Sequence, residues 1–139
     1  MPYDPMLVKP MREEAVALGA RELLTPADVD AFVAGPGTAV LLVNSVCGCA
    51  AGGARPGLAL ALRGGLKADR VGTVFAGQDV EATRRAREHF DGAPPSSPAI
   101  AVFKDGKLKK LIQRWEIEGR LAPQIAEAVT AAHDAAVRG

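Results

Sequence analysis

Residues 38–44, Thr-Ala-Val-Leu-Leu-Val-Asn, show no polar alternation after Thr38. An apolar run this short, bounded by turn residues, fits a strand buried on both faces. Such a strand needs cover above and below, which points to a layered fold. The run stops at Asn44-Ser45, and Cys47-Gly48-Cys49 follows, with the only two cysteines among 139 residues. A small-residue segment that can start a helix comes next. Backbone amides and the dipole at a helix N-terminus favour the thiolate over the thiol. Cys47 and Cys49 are therefore the candidate reactive pair.

The rest of the chain supplies the cover. Residues 1–10 hold three prolines and read as an extended arm that packs through Tyr3, Met6, Leu7 and Val8. Residues 10–19 read as a short helix that opens at Pro10 and ends at Gly19. Leu23-Leu24 is a candidate short strand. Thr25 and Pro26 form an N-cap and first helical position, and Gly35-Pro36-Gly37 closes that helix. A helix is expected over 49–63, kinked or restarted at Pro56, which lacks a backbone donor. Gly52-Gly53 lowers helix propensity there, to be explained by close approach near the thiols or by loose packing. Residues 70–76 form the next strand, and 79–90 an amphipathic helix with Arg84, Arg85, Arg87 and Glu88 on a solvated face. Residues 98–104 and 107–113 are two strands joined by Asp105-Gly106, a strong hairpin signal. A helix over 119–137 closes the chain. This order predicts one α/β domain over 1–139, a three-layer sandwich on a mixed sheet, with residues 1–20 as an added arm and helix.

Composition narrows the function. A net charge of +1 with 24% charged residues gives no argument for nucleic acid or an anionic membrane surface. No apolar run approaches the roughly 20 residues of a membrane span. The N-terminus lacks a basic segment followed by an apolar one, so no signal peptide is expected and a cytoplasmic location is. Cysteines kept reduced there are more often catalytic, redox-sensing or metal-binding than structural.

The element order, with cysteines at the exit of the first long strand, resembles the thioredoxin fold. Ser97-Pro98-Ala99-Ile100-Ala101-Val102-Phe103-Lys104-Asp105-Gly106 looks like that family's strand-and-hairpin segment, and the match implies a cis Pro98 beside the cysteines. Met1-Pro-Tyr-Asp-Pro-Met6, Val43-Asn-Ser-Val-Cys-Gly-Cys-Ala-Ala-Gly52 and Ala54-Arg-Pro-Gly57 resemble the bacilliredoxin family across essentially the whole chain. That resemblance implies removal of bacillithiol, a small thiol carrying malate carboxylates, from mixed disulfides on client proteins. It also implies a disulfide isomerase or reductase activity. Two departures from thioredoxin stand out. Leu41 occupies the place of a buried acid six residues before the first cysteine, and Val46 that of a tryptophan. Both argue against efficient general dithiol reduction.

Cys47 is the expected nucleophile and, at the strand exit, the more exposed thiol; Cys49 is the candidate resolving residue or a spectator. No cofactor is bound; bacillithiol is the co-substrate. Either a second bacillithiol or a disulfide reductase recycles the protein. Gly48 gives the tight Cys-x-Cys ring its backbone freedom. Ser97 and Pro98 border the substrate, and Arg55 either meets an anionic substrate group or is a surface residue. Other readings stay open: a buried inert cysteine pair, half of a tetrahedral metal site, or a redox-responsive interaction module without turnover. No metal ligands are assigned, because His89 and His133 fit surface helix positions without a Cys/His spacing pattern. Trp115 reads as a packing residue, and Tyr3 as an anchor or a cover for the thiols.

Overall fold

A computed structural model describes residues 2–139. Helices α1 (Pro5–Ala17), α2 (Pro26–Ala34), α3 (Arg55–Arg63), α4 (Val80–Glu88), α5 (Arg114–Ile117) and α6 (Ala122–Arg138) flank strands β1 (Arg21–Glu22), β2 (Thr38–Asn44), β3 (Arg70–Phe75), β4 (Ala99–Lys104) and β5 (Lys107–Ile112). The strands form one sheet in the order β1-β3-β2-β4-β5. β3 runs parallel to β1 and β2, whereas β2/β4 and β4/β5 are antiparallel. This is a thioredoxin-like α/β/α sandwich on a mixed sheet.

Strand β2 is buried along its whole length and sits at the centre of the sheet. Its side chains alternate between two cores, as the two-residue period of a strand requires. Val40 and Leu42 pack with Leu58, Ile125 and Val129 on the α3/α6 side. Ala39, Leu41 and Val43 pack with Val29, Phe32 and Ala86 on the α2/α4 side. Leu41, in place of an acid, is thus an ordinary core residue. The Asp105-Gly106 turn has positive φ at both residues, 50° and 81°, as a two-residue hairpin of matching twist demands.

Three local expectations change, and a fourth holds. The extended arm is the first turn of a helix: Asp4 caps it by accepting from Met6 N at 2.8 Å, and Pro5 takes the first position. Pro10 therefore lies inside α1, on its exposed side. The β1 ladder falls at Arg21–Glu22, although Leu23 N still donates to Thr73 O at 2.9 Å. The helix after Cys47 does restart at Pro56: a π turn over Ala50–Ala54 gives way to α3, with Pro56 in its first turn. Among the described residues, no helix is long and apolar enough to cross a membrane.

Candidate active site

The thiols lie where β2 leaves the sheet, and a polar network holds that exit. Asn44 is buried and donates through Nδ2 to Met11 O of α1 at 3.2 Å. Its Oδ1 accepts from Ser45 N at 2.9 Å and from Arg55 Nη1 at 2.8 Å. Arg55 Nη1 also donates to Ser45 O at 2.9 Å, and Arg55 Nε to Glu14 Oε1 at 2.7 Å. Arg55 is only 3% exposed. The expectation of a surface arginine, or one open to a substrate anion, is corrected: it ties α1 and α3 to the loop that carries Cys47.

Ser45 passes this order to the sulfur. Cys47 N donates to Ser45 Oγ at 3.3 Å, and Cys47 O accepts from Ala50 N and Ala51 N at 3.1 and 3.2 Å. Cys47 thus stands at the head of the helical segment, facing its free amides. Burial pushes the Cys47 thiol up. The Ser45 hydroxyl, the Ala50 and Cys49 amides and the Arg114 charge outweigh it, so its pKa lies below the ordinary thiol value. Cys49 goes the other way. Burial is the main cause, joined by the Cys47 and Glu118 charges and opposed by Arg114. Both cysteines are free and half-buried, and their surroundings set them apart.

Gly48 is exposed, its φ is not left-handed, and a Cβ there would meet nothing within 4 Å. The dithiol form therefore places no demand on glycine at this position. Gly53 is different: a Cβ would lie 3.0 Å from Ile125 Cδ1 and 3.2 Å from Ile117 Cγ2, so close approach explains that glycine. The Ser97–Pro98 bond is cis. The register Val43↔Ala99 sets Pro98 one step beyond the β2/β4 ladder, at the sheet edge where β2 gives way to the thiol loop.

The sequence profile of the disulphide isomerase family matches residues 3–137. A bacilliredoxin of Cytophaga hutchinsonii is 50% identical over 132 residues, covering 95% of this chain and 98% of its own. One of Geobacillus kaustophilus is 51% identical over 128 residues, covering 92% and 88%. One of Salinibacter ruber is 50% identical over 138 residues, covering 97% and 81%. The chain belongs to the bacilliredoxin family. Membership places it in thiol–disulfide redox chemistry.

Around this family core, several side chains sit where the sequence did not put them. Trp115 is 58% exposed rather than packed. His133 is buried, with Nε2 at 3.3 Å from Thr38 Oγ1. His89 is half-buried at the end of α4, 2.9 Å from Asp30. Among the described residues, no three His, Cys, Asp or Glu side chains converge as a metal site would need. The backbone of Tyr3 donates to Gln78 Oε1 at 2.8 Å, anchoring the N-terminus on the β3–α4 connection. The main omission is α5. It brings Arg114, Trp115 and Glu118 beside Ser96 and Ser97, where they line a cavity of 440 Å³ together with Arg87. The signal for α5 was present in Gln113-x-x-Glu116, whose N3 carboxylate accepts from Gln113 N at 3.0 Å. Glutamine is not a favoured N-cap, so this box is a weak sequence signal.

Proposed function

We propose that this bacilliredoxin-family protein removes bacillithiol from mixed disulfides on client proteins, with Cys47 as nucleophile. The opposite displacement of two thiols one residue apart supports this reading most directly. A lowered thiol pKa gives more thiolate at neutral pH, and the thiolate is the attacking species.

The Cys47 thiolate attacks the bacillithiol sulfur of the mixed disulfide. A Cys47–bacillithiol disulfide forms, the client–bacillithiol bond breaks, and the client thiolate leaves and takes a proton from water. A second bacillithiol thiolate then attacks the adduct, releasing oxidised bacillithiol and the Cys47 thiolate. Alternatively, Cys49 loses its proton and attacks Cys47, releasing bacillithiol and leaving a Cys47–Cys49 disulfide for a disulfide reductase. The raised Cys49 thiol favours the first route. Ser97 and Pro98, next to the thiol loop in register, border the client segment, and exposed Gly48 leaves the approach to Cys47 open. A reactive cysteine pair suits the reducing cytoplasm, where cysteines are more often catalytic than structural.

Disulfide isomerisation is the second reading. The description of the matching family supports it, and so does the same raised Cys49, which prolongs the life of any mixed disulfide on Cys47.

Intact mass of the Cys49→Ser protein, mixed with a bacillithiol-capped client, tests the proposal. Uncapping with one bacillithiol retained on the protein is expected. A client that stays capped, or uncapping by Cys47→Ser, refutes it.

A further inference from the structure

The cavity lined by Arg87, Ser97 and Arg114 carries an excess of positive charge. Of the α4 arginines, Arg84 pairs with Glu81 at 3.4 Å, and Arg85 with Asp30 at 2.6 Å and Glu88 at 3.5 Å. Arg87 has no carboxylate within ion-pair distance among the described residues, and its Nε is enclosed without any hydrogen-bond partner. An enclosed donor with nothing to donate to is costly, and more so on a charged group. Burial without a counter-charge also pulls the Arg87 guanidinium below its ordinary pKa.

Across the cavity, Arg114 is held loosely. Its Nη1 reaches Ser97 O at 3.4 Å and its Nε reaches Glu118 at 3.7 Å, both long for charge-assisted bonds. Ser97 of the cavity lining precedes Pro98, which the register sets at the end of β2 where the thiol loop begins, and the Arg114 charge acts on both Cys47 and Cys49. Two guanidinium groups face one carboxylate, Glu118, and Trp115 adds an exposed apolar wall. The volume of 440 Å³ lies within the roughly 300–1,000 Å³ range of small-molecule sites. A surface that binds a folded client needs far more area than such a cavity offers.

We infer that this cavity seats the carboxylate-bearing end of the small thiol, held by Arg87 and Arg114 while its sulfur lies at Cys47. The inference rests on the bacillithiol reading above, whose malate supplies two carboxylates. It assigns specificity to residues outside the Cys-Gly-Cys motif: the protein selects its substrate by the charge of the cap rather than by the client sequence.

The test compares one client protein carrying either a bacillithiol or a neutral mercaptoethanol cap. Second-order uncapping rates are measured for the wild type, Arg87→Gln, Arg87→Lys and Arg114→Gln. The ratio of bacillithiol to mercaptoethanol rates should fall about tenfold or more in both glutamine variants, the loss expected for a charge-assisted hydrogen bond. It should recover in part in Arg87→Lys. Taking the ratio removes any general slowing caused by withdrawing the Arg114 charge from Cys47. An unchanged ratio in both glutamine variants overturns the assignment. So does a loss that follows acidic residues engineered around the client cysteine, because the cavity would then read the protein. A separate titration with S-methyl bacillithiol, which cannot exchange, isolates the cavity from the chemistry. Binding weakened about tenfold in Arg87→Gln supports the site even if no client is uncapped, and equal binding by wild type and variant refutes it. Failure of the wild type to uncap any bacillithiol client sinks the functional proposal instead.

Discussion

Replacing Arg55 with methionine separates a structural clamp from a substrate-binding residue. Methionine keeps much of the side-chain volume but removes the donors to Glu14, Asn44 and Ser45. Hydrogen bonds to charged groups are worth about 1.5–3 kcal/mol each, and breaking a buried ion pair costs about 3–5 kcal/mol. Both figures need discounting, because Glu14 is 43% exposed and water can replace the arginine there. Asn44 and Ser45 are buried and have no such recourse. A loss of about 3 kcal/mol follows, a large share of the roughly 5–15 kcal/mol that holds a domain folded. For a chain of this length that lowers Tm by about 10 °C. Thermal unfolding by circular dichroism reads it directly. Loosening Ser45 should also slow alkylation of Cys47 at neutral pH. A Tm within 2–3 °C of wild type, together with weakened affinity for bacillithiol, would refute the clamp and return Arg55 to the role of anion receptor.

Two further substitutions probe the same architecture. Ser45→Ala removes the hydroxyl that helps lower the Cys47 thiol, so its titration, followed by thiolate absorbance, moves to higher pH. The linkage sign follows. With Cys47 lower when folded than unfolded, its stabilising contribution is fully present above the unfolded thiol pKa. It is lost as pH falls through the lowered folded value, and Ser45→Ala should reduce that pH dependence of Tm. Gly57→Ala puts a Cβ 2.6 Å from Ile125 Cγ2 on α6. Overpacking of about 1–3 kcal/mol exceeds the ~1 kcal/mol that alanine gains over glycine in a helix, so Tm falls. Gly52→Ala, with nothing within 4 Å, should leave Tm equal or higher.

The sheet was legible because its strands are short apolar runs with strong punctuation. Thr38–Asn44 agrees with its expected limits to the residue, and the Asp105-Gly106 turn located the hairpin, whose register shifts between Val102 and Phe103. Thr25-Pro26 located α2 for the same local reason: a side-chain cap at 3.1 Å from Asp28 N. Three prolines concealed the start of α1, because the first of its helical prolines is a starter and the second an exposed interior residue. The site divides similarly. The position of the cysteines at a strand exit is local and could be read. The Glu14–Arg55 and Arg114–Ser97 contacts span 41 and 17 residues and depend on tertiary placement that no periodicity encodes. A lone buried arginine in a small-residue helix is a hint of such a clamp, because a guanidinium can be buried there only with partners.

The difference between two cysteines one residue apart follows from where the helical segment begins. Cys47 precedes its first turn, so its sulfur meets free amides and the Ser45 hydroxyl. Cys49 lies inside that turn and packs against the core cluster of Ile117 and Ile125, where burial disfavours its thiolate. In an ordinary thioredoxin a buried acid assists the second cysteine, but Leu41 fills that place and packs among Phe32 and Val43. The carboxylate acting on Cys49 is Glu118, whose charge raises the thiol further. A mixed disulfide formed on Cys47 therefore meets a resolving thiol that is mostly protonated at neutral pH, and an external thiolate has the advantage in attacking it. Under the proposed mechanism, Leu41, which completes the α2/α4 core, leaves Cys49 without an assisting acid and the cycle dependent on the supply of small thiol.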